Sequence, residues 1–179
     1  IKLKIAQTSG QKRIFEEARS SYDQALKINP SNHKARAQRA RALLALNEPQ
    51  NALQDLQWLE RQGYLGDLNF EFGRAQQALG RSEEAQRYYK KVLDQDREHL
   101  DALRSMGSIM QESKDVPRAK QYYEQALAVD PRDSETRYAL GKLLLNESDS
   151  GMAVEHLRVA SEIKPQDPKL HYWHGRALE

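Results

Sequence analysis

The sequence predicts an all-α solenoid, a row of two-helix units stacked side by side, and three observations predict it. Ala18, Ala52, Ala85, Ala119 and Ala153 recur at intervals of 34, 33, 34 and 34 residues. Four residues after each stands a large apolar side chain (Tyr22, Leu56, Tyr89, Tyr123, Leu157), and seven after it another small or apolar one (Ala25, Leu59, Val92, Ala126, Ala160). Twelve residues on, Pro30, Pro131 and Pro165 close three of the five copies. Residues at i, i+4 and i+7 share one face of a helix. A period of this size, carried by such faces and closed by proline, describes a unit that buries its apolar side only against copies of itself.

The composition agrees. With 39% apolar and 7% aromatic residues, 179 residues gathered about one centre would have a thin core, whereas a stack needs only neighbour contacts. Charged residues make up 30% with both signs interleaved and a net charge of +2, the mark of a solvated helical surface; nucleic acid is not an expected partner. The absence of cysteine excludes disulfides, thiolate metal sites and a cysteine nucleophile, and leaves cytoplasm and periplasm equally open as compartments. No stretch reaches the roughly eighteen apolar residues of a membrane span, so no membrane insertion is expected of this segment. The chain opens at Ile1 inside a predicted helix and stops at Glu179 partway through a unit, which reads as a piece of a longer array.

The elements follow from a second set of markers. Twelve residues before each alanine stands another small residue, Ala6, Ala40, Gly73, Gly107 or Gly141, and Gly175 follows 34 residues after the last. Each unit therefore has a first helix carrying this slot, where a neighbour comes close, and a second helix carrying the alanine. Within units the break falls at Asn47-Glu48-Pro49, Gly80-Arg81-Ser82, Ser113-Lys114-Asp115 and Ser148-Asp149-Ser150-Gly151; between units it falls at Asn29-Pro30-Ser31-Asn32, Asp130-Pro131-Arg132-Asp133 and Lys164-Pro165-Gln166-Asp167-Pro168. Proline stops one helix and the Asn, Asp or Ser after it caps the next. Helices are predicted near 1–8, 15–28, 33–46, 50–62, 67–79, 83–95, 100–113, 117–129, 134–147, 151–163 and 168–178.

These residues resemble the tetratricopeptide repeat. The first-helix pair of that signature stands here as Phe72-Gly73, Met106-Gly107 and Leu140-Gly141, and the second-helix set as Ala119, Tyr123, Ala126 and Pro131. The resemblance implies a right-handed α-solenoid (superhelix) of antiparallel helix-turn-helix units forming a single array over 1–179. In it, 1–32 is a partial, irregular repeat, 33–65, 66–99, 100–133 and 134–167 are full repeats, and 168–179 is the first helix of a truncated one. Two departures stand out: Arg36 and Arg39 occupy a face expected to be apolar, and Gln62-Gly63-Tyr64-Leu65-Gly66 replaces the closing proline where the period drops to 33.

Each first helix has two faces. Leu103, Met106, Gly107 and Met110, and likewise Arg137, Leu140, Gly141 and Leu144, share the packing side. The adjacent side, which lines the concave groove in the resembled family, carries Arg41, then Phe70 and Arg74, Arg104, Tyr138 and Lys142, and Tyr172 and Arg176. A ladder of cations and rings suits an extended protein or peptide segment bearing carboxylates. The alternative is that Asp67, Glu71, Asp101, Glu112 and Glu135 simply pair with these cations at the surface. One subclass of the family grips chaperone tails with a fixed lysine, asparagine and arginine set. No frame here matches it, the positions reading Ala37, Arg41, Glu71, Asp101 and Ser105 in one instance.

Weaker signals carry less. There is no Gly-rich phosphate loop, His-Glu-x-x-His or Gly-x-Ser-x-Gly, so no catalytic residues and no cofactor are assigned. His171 and His174 lie three apart but lack a carboxylate at ligand spacing, and are expected to pack at the end of the array rather than hold a metal. Of the pairs Tyr88-Tyr89 and Tyr122-Tyr123, the second packs and the first is expected on the convex surface. Trp58 and Trp173 have no repeat counterpart, and Trp173 beside Tyr172 is a candidate contact for another chain or for a next unit of the array. The expected function is a non-catalytic scaffold for protein interaction. Two alternatives are a periplasmic scaffold of exopolysaccharide secretion, with polysaccharide stacked on the rings, and a regulatory arm of a larger enzyme. End-to-end self-association through exposed apolar ends is a further expectation.

Overall fold

The structure is a computed structural model that describes residues 2–64, 66–147 and 150–179, with the side chains of 2–9 excepted. Ile1, Leu65, Ser148, Asp149 and the side chain of Ala6, which enter the sequence expectations, lie outside the described residues. Among the described residues there are ten helices and no strand: α1 (Lys2–Ile28), α2 (His33–Ala45), α3 (Pro49–Arg61), α4 (Asn69–Ala78), α5 (Ser82–Gln95), α6 (Leu100–Glu112), α7 (Val116–Val129), α8 (Ser134–Asn146), α9 (Ser150–Ile163) and α10 (Pro168–Ala177). The chain is all-α, built of paired helix-turn-helix units as predicted.

The chain divides into two compact units, Ile1–Tyr88 and Tyr89–Glu179. In the first, α1 packs on α2, α2 on α3, α3 on α4, and α2 also reaches α4. In the second, α6 packs on α7, α7 on α8, α8 on α9 and α9 on α10, while α6 reaches α8 and α8 reaches α10. Within each unit, first helices thus lie beside first helices.

The turns explain the pairing. Asn47, Gly80 and Lys114 have φ of 59°, 73° and 62°, each just past the end of a first helix and close to one period apart. In each, the next amide reaches back across the turn into the last turn of the helix: Glu48 N to Leu43 O at 2.8 Å, Arg81 N to Gln76 O at 2.9 Å and Asp115 N to Met110 O at 2.8 Å. This left-handed closure consumes the orphan carbonyls and turns the chain back on itself. Gly63 (φ 68°) makes the same closure after α3, with Tyr64 N on Leu59 O at 3.1 Å, which is how that unit ends without proline. Helix starts are equally periodic. Asn32, His99 Nδ1, Asp115, Asp133 and Asp167 accept from backbone amides in the first turns of α2, α6, α7, α8 and α10.

Marker residues form the core. Ala52, Ala85, Ala119 and Ala153 are fully buried, as are Leu56, Tyr89, Leu157 and, to within 1%, Tyr123. A Cβ on Gly107 would stand 2.5 Å from the Tyr123 ring, and one on Gly141 would stand 2.7 Å from Leu157 Cγ. The glycine slot of a first helix therefore receives the large residue four after the alanine of its own second helix.

Three expectations are corrected. Helices predicted at 1–8 and 15–28 are one continuous α1, because Gly10 alone weakens a helix without ending it and no proline or cap intervenes. Tyr88 is not laid on a free surface: it is half-buried and stacked on Phe72, with centroids 4.9 Å apart and planes 9° from parallel. His171 is exposed rather than packed, its Nε2 3.0 Å from Pro165 O.

The charged departure in the first unit has an internal answer. Asp55, 3% exposed, accepts from Arg39 at 2.6 and 2.7 Å and from Arg36 at 3.1 Å. Arg39 also reaches Asp23 at 2.7 Å, and the Arg36 guanidinium lies 3.9 Å from the centre of the Trp58 ring. A buried acid and a tryptophan thus replace the missing apolar residues.

Candidate partner-binding face

The groove-side residues picked out from sequence fall into two classes. Some are held by acids of the chain itself. Arg41, exposed at the surface, donates from Nε to Glu71 at 2.5 Å, and Glu71 is itself buried. Arg104 is shared among Asp101, Asp133 at 3.2 Å and Glu135 at 3.0 Å. Arg176 sits 3.4 Å from Glu179. Asp133 gains most by this: burial pushes its carboxyl up, but the Thr136 hydroxyl and amide and the Arg104 charge outweigh burial and hold it below the usual carboxylate range.

The other cations, Arg74 and Lys142, have no ion-pair partner among the described residues. Arg74, in the first unit, is half-buried, and Phe70 beside it is likewise half-buried. In the second unit α8 and α10 bring Tyr138, Lys142, Lys169 and Trp173 together. Lys142 Nζ lies 4.5 Å from the Trp173 ring centre and 5.5 Å from that of Tyr138; Lys169 Nζ lies 4.0 Å from Tyr138. Tyr172, 59% exposed, meets Trp173 edge-on at 5.5 Å. Tyr138, Lys142 and Tyr172 are among the residues picked out from sequence. Lys169 and Trp173 were not placed with them. Lys169 meets Tyr138 and Trp173 meets Lys142, each pair 31 residues apart on different helices, so no local spacing signalled them.

Chemically this face offers cations and ring surfaces and no converging nucleophile, base and orienter. Among the described residues no group of three or more His, Cys, Asp or Glu could hold a metal ion. No helix among them is long and apolar enough to cross a membrane.

Family comparisons decide the identity. Two models described as tetratricopeptide repeat match residues 3–63 and 110–177, and one described as YpiA-like, C-terminal tetratricopeptide repeats matches 67–133. The chain belongs to the tetratricopeptide-repeat family. Proteins of this family serve in protein–protein interaction, and the paired helices, glycine slots and marker alanines described above are its repeat. No curated protein matches the sequence. Among solved structures, this tetratricopeptide-repeat chain is similar to TTC0263, a thermophilic TPR protein of Thermus thermophilus, at 25% identity and a TM-score of 0.76, covering 97% of this chain and 94% of that one. It is similar in fold to pilF of Pseudomonas aeruginosa, at 21% identity and a TM-score of 0.74 over 97% and 80% of the two chains. It is also similar in fold to YrrB, described as a TPR protein with an unusual peptide-binding site, at 20% identity and a TM-score of 0.64 over 90% and 83%.

Proposed function

We propose that this protein is a non-catalytic scaffold that holds an extended, acid-bearing segment of a partner protein on its first-helix face, with α8 and α10 as the principal contact in the second unit. One observation carries the reading. Lys142 and Lys169 converge on one tyrosine ring with no ion-pair partner among the described residues, while Arg41 and Arg104 are already held by acids of the chain. A surface that leaves cations unmatched between rings has attraction to offer a carboxylate and apolar area to offer its neighbours. Affinity then comes from several modest contacts along the segment rather than from one deep pocket.

Selection of twelve-residue peptides from a displayed library tests it. Acidic sequences should be enriched. Reversal to glutamate at Lys142 and Lys169 together should weaken the selected peptides about tenfold or more, and the same change at Arg74 should weaken those that use the first unit. Circular dichroism and melting should stay within error of the parent, since all three side chains lie outside the apolar core. Selection of neutral sequences, or of sequences indifferent to these reversals, contradicts the acidic reading. Recovery of glycans rather than peptides on the same rings would favour the exopolysaccharide alternative.

A further inference from the structure

We infer that Lys142 and Lys169, with the rings of Tyr138 and Trp173, form an anchoring subsite for a carboxylate side chain of a peptide whose neighbouring residue is aromatic or aliphatic; this deepens the proposed function and rests on it. The juxtaposition is specific. Both ammonium groups lie against the same ring, at 5.5 and 4.0 Å from the Tyr138 centroid, and Lys142 also lies 4.5 Å from that of Trp173. Two like charges brought to one ring repel each other, and an anion set between them removes that repulsion. Among the described residues neither lysine has an ion-pair partner. Asp167, two residues from Lys169, accepts from the Lys169 backbone amide as the cap of α10, and Glu135 on α8 takes Lys164 at 3.4 Å and Arg104 at 3.0 Å. Asp167 and Glu135 are thus engaged in capping and with other cations.

The choice of lysine matters. An ammonium on a four-carbon stem swings freely and is held on an exposed ring only weakly, so an arriving carboxylate draws it into a charge-assisted hydrogen bond. The ring face it leaves becomes available, and with Trp173 half-buried and Tyr172 exposed beside it, the vacated surface suits a planar or branched apolar side chain. Acid and apolar residue are then recognised together, as a pair. A polyanion fits less well, because the chain carries a net charge of only +2 and Arg104 and Arg176 on the first helices of this unit are neutralised.

Trp173 reports on the subsite directly. Trp58→Phe leaves it as the sole tryptophan of a chain that has two. The probes are acetyl-Glu-Phe-Glu-Leu-amide, its Gln-Phe-Gln-Leu counterpart, and inorganic phosphate. The acidic peptide should change Trp173 emission saturably, and added salt should weaken it. The amide peptide, and the acidic peptide on the Lys142→Gln/Lys169→Gln protein, should each bind about tenfold weaker. No saturable response, equal binding of the two peptides, or indifference to the lysine changes overturns the subsite, as does phosphate alone matching the acidic peptide. Calorimetry on the chain with both tryptophans makes the same comparison should Trp58→Phe fail to fold. If the subsite fails while library peptides still require the first-helix face, the scaffold reading stands; if both fail, both fall.

Discussion

At the scale of single residues, the repeat register gives one glycine position opposite meanings along the chain. Gly141 faces Leu157, fully buried, and the Ala153 carbonyl, so a methyl group has nowhere to go; Gly175 has nothing within 4 Å of its absent Cβ. Gly141→Ala should destabilise by about 1–3 kcal/mol through overpacking. Gly175→Ala should instead gain about 0.5–1 kcal/mol by helix propensity. Denaturant unfolding of both variants checks the pair of signs. His156 gives a second residue-scale prediction. Burial first, and the nearby Arg137 charge second, hold its imidazole below the ordinary 6.5. The folded state therefore binds fewer protons than the unfolded one. His156 contributes stability that is fully present above about pH 6.5 and is lost as pH falls toward the folded value. His156→Gln should flatten melting temperature against pH between about 6.5 and the carboxylate range; an unchanged slope would refute this origin.

A further residue-scale pattern ties the three proline turns together. Arg36 reaches Pro30 O at 2.9 Å, Arg137 reaches Pro131 O at 2.7 Å, and His171 lies 3.0 Å from Pro165 O, each from four residues before a small-residue slot. Where no proline precedes, the same position holds Asn69, still polar but short, or the apolar Leu103, neither carrying a long cationic or imidazole side chain. The proline carbonyl is thus satisfied by the next helix, which accounts for Arg36, Arg137 and His171 on a side the repeat makes apolar.

At the scale of elements, most of the fold was legible. Helices α2 to α10 start and stop within a few residues of their predicted limits, because caps, left-handed turns and prolines are local signals. The merging of the first two predicted helices was not legible: only packing partners could have bent α1 back at Gly10, and residues 10–17 are exposed on every side. The state of the cations was legible in part: Glu71, Asp101 and Glu135, named from sequence as possible partners, do hold Arg41 and Arg104, whereas Asp133 on Arg104 and Glu48 on Arg19 were not foreseen because they sit nearly one period away. Arg41 meets Glu71, Arg104 meets Asp133 and Arg19 meets Glu48, at separations of 30, 29 and 29 residues. The last two become visible only when the chain is compared with itself at that offset. The Arg36, Arg39 and Asp55 network belongs to this scale too, since it holds α2 to α3 and, through Asp23, to α1. Asp55→Ala leaves two part-buried guanidinium groups without their acid and should cost about 3 kcal/mol in chemical unfolding. A loss below about 1 kcal/mol would mean water replaces the carboxylate.

At the scale of the whole molecule, the repeat divides labour between its two kinds of helix. Second helices supply the alanines and large residues that fill the slots, and first helices, relieved of that work on one side, are the face proposed to meet a partner. The direct measurement is amide chemical-shift mapping of the labelled protein with a library-selected acidic peptide. Perturbations should concentrate on the first helices, above all around Tyr138, Lys142, Lys169 and Trp173 on α8 and α10. Perturbations centred on the second helices α7 and α9, with α8 and α10 silent, would contradict the account.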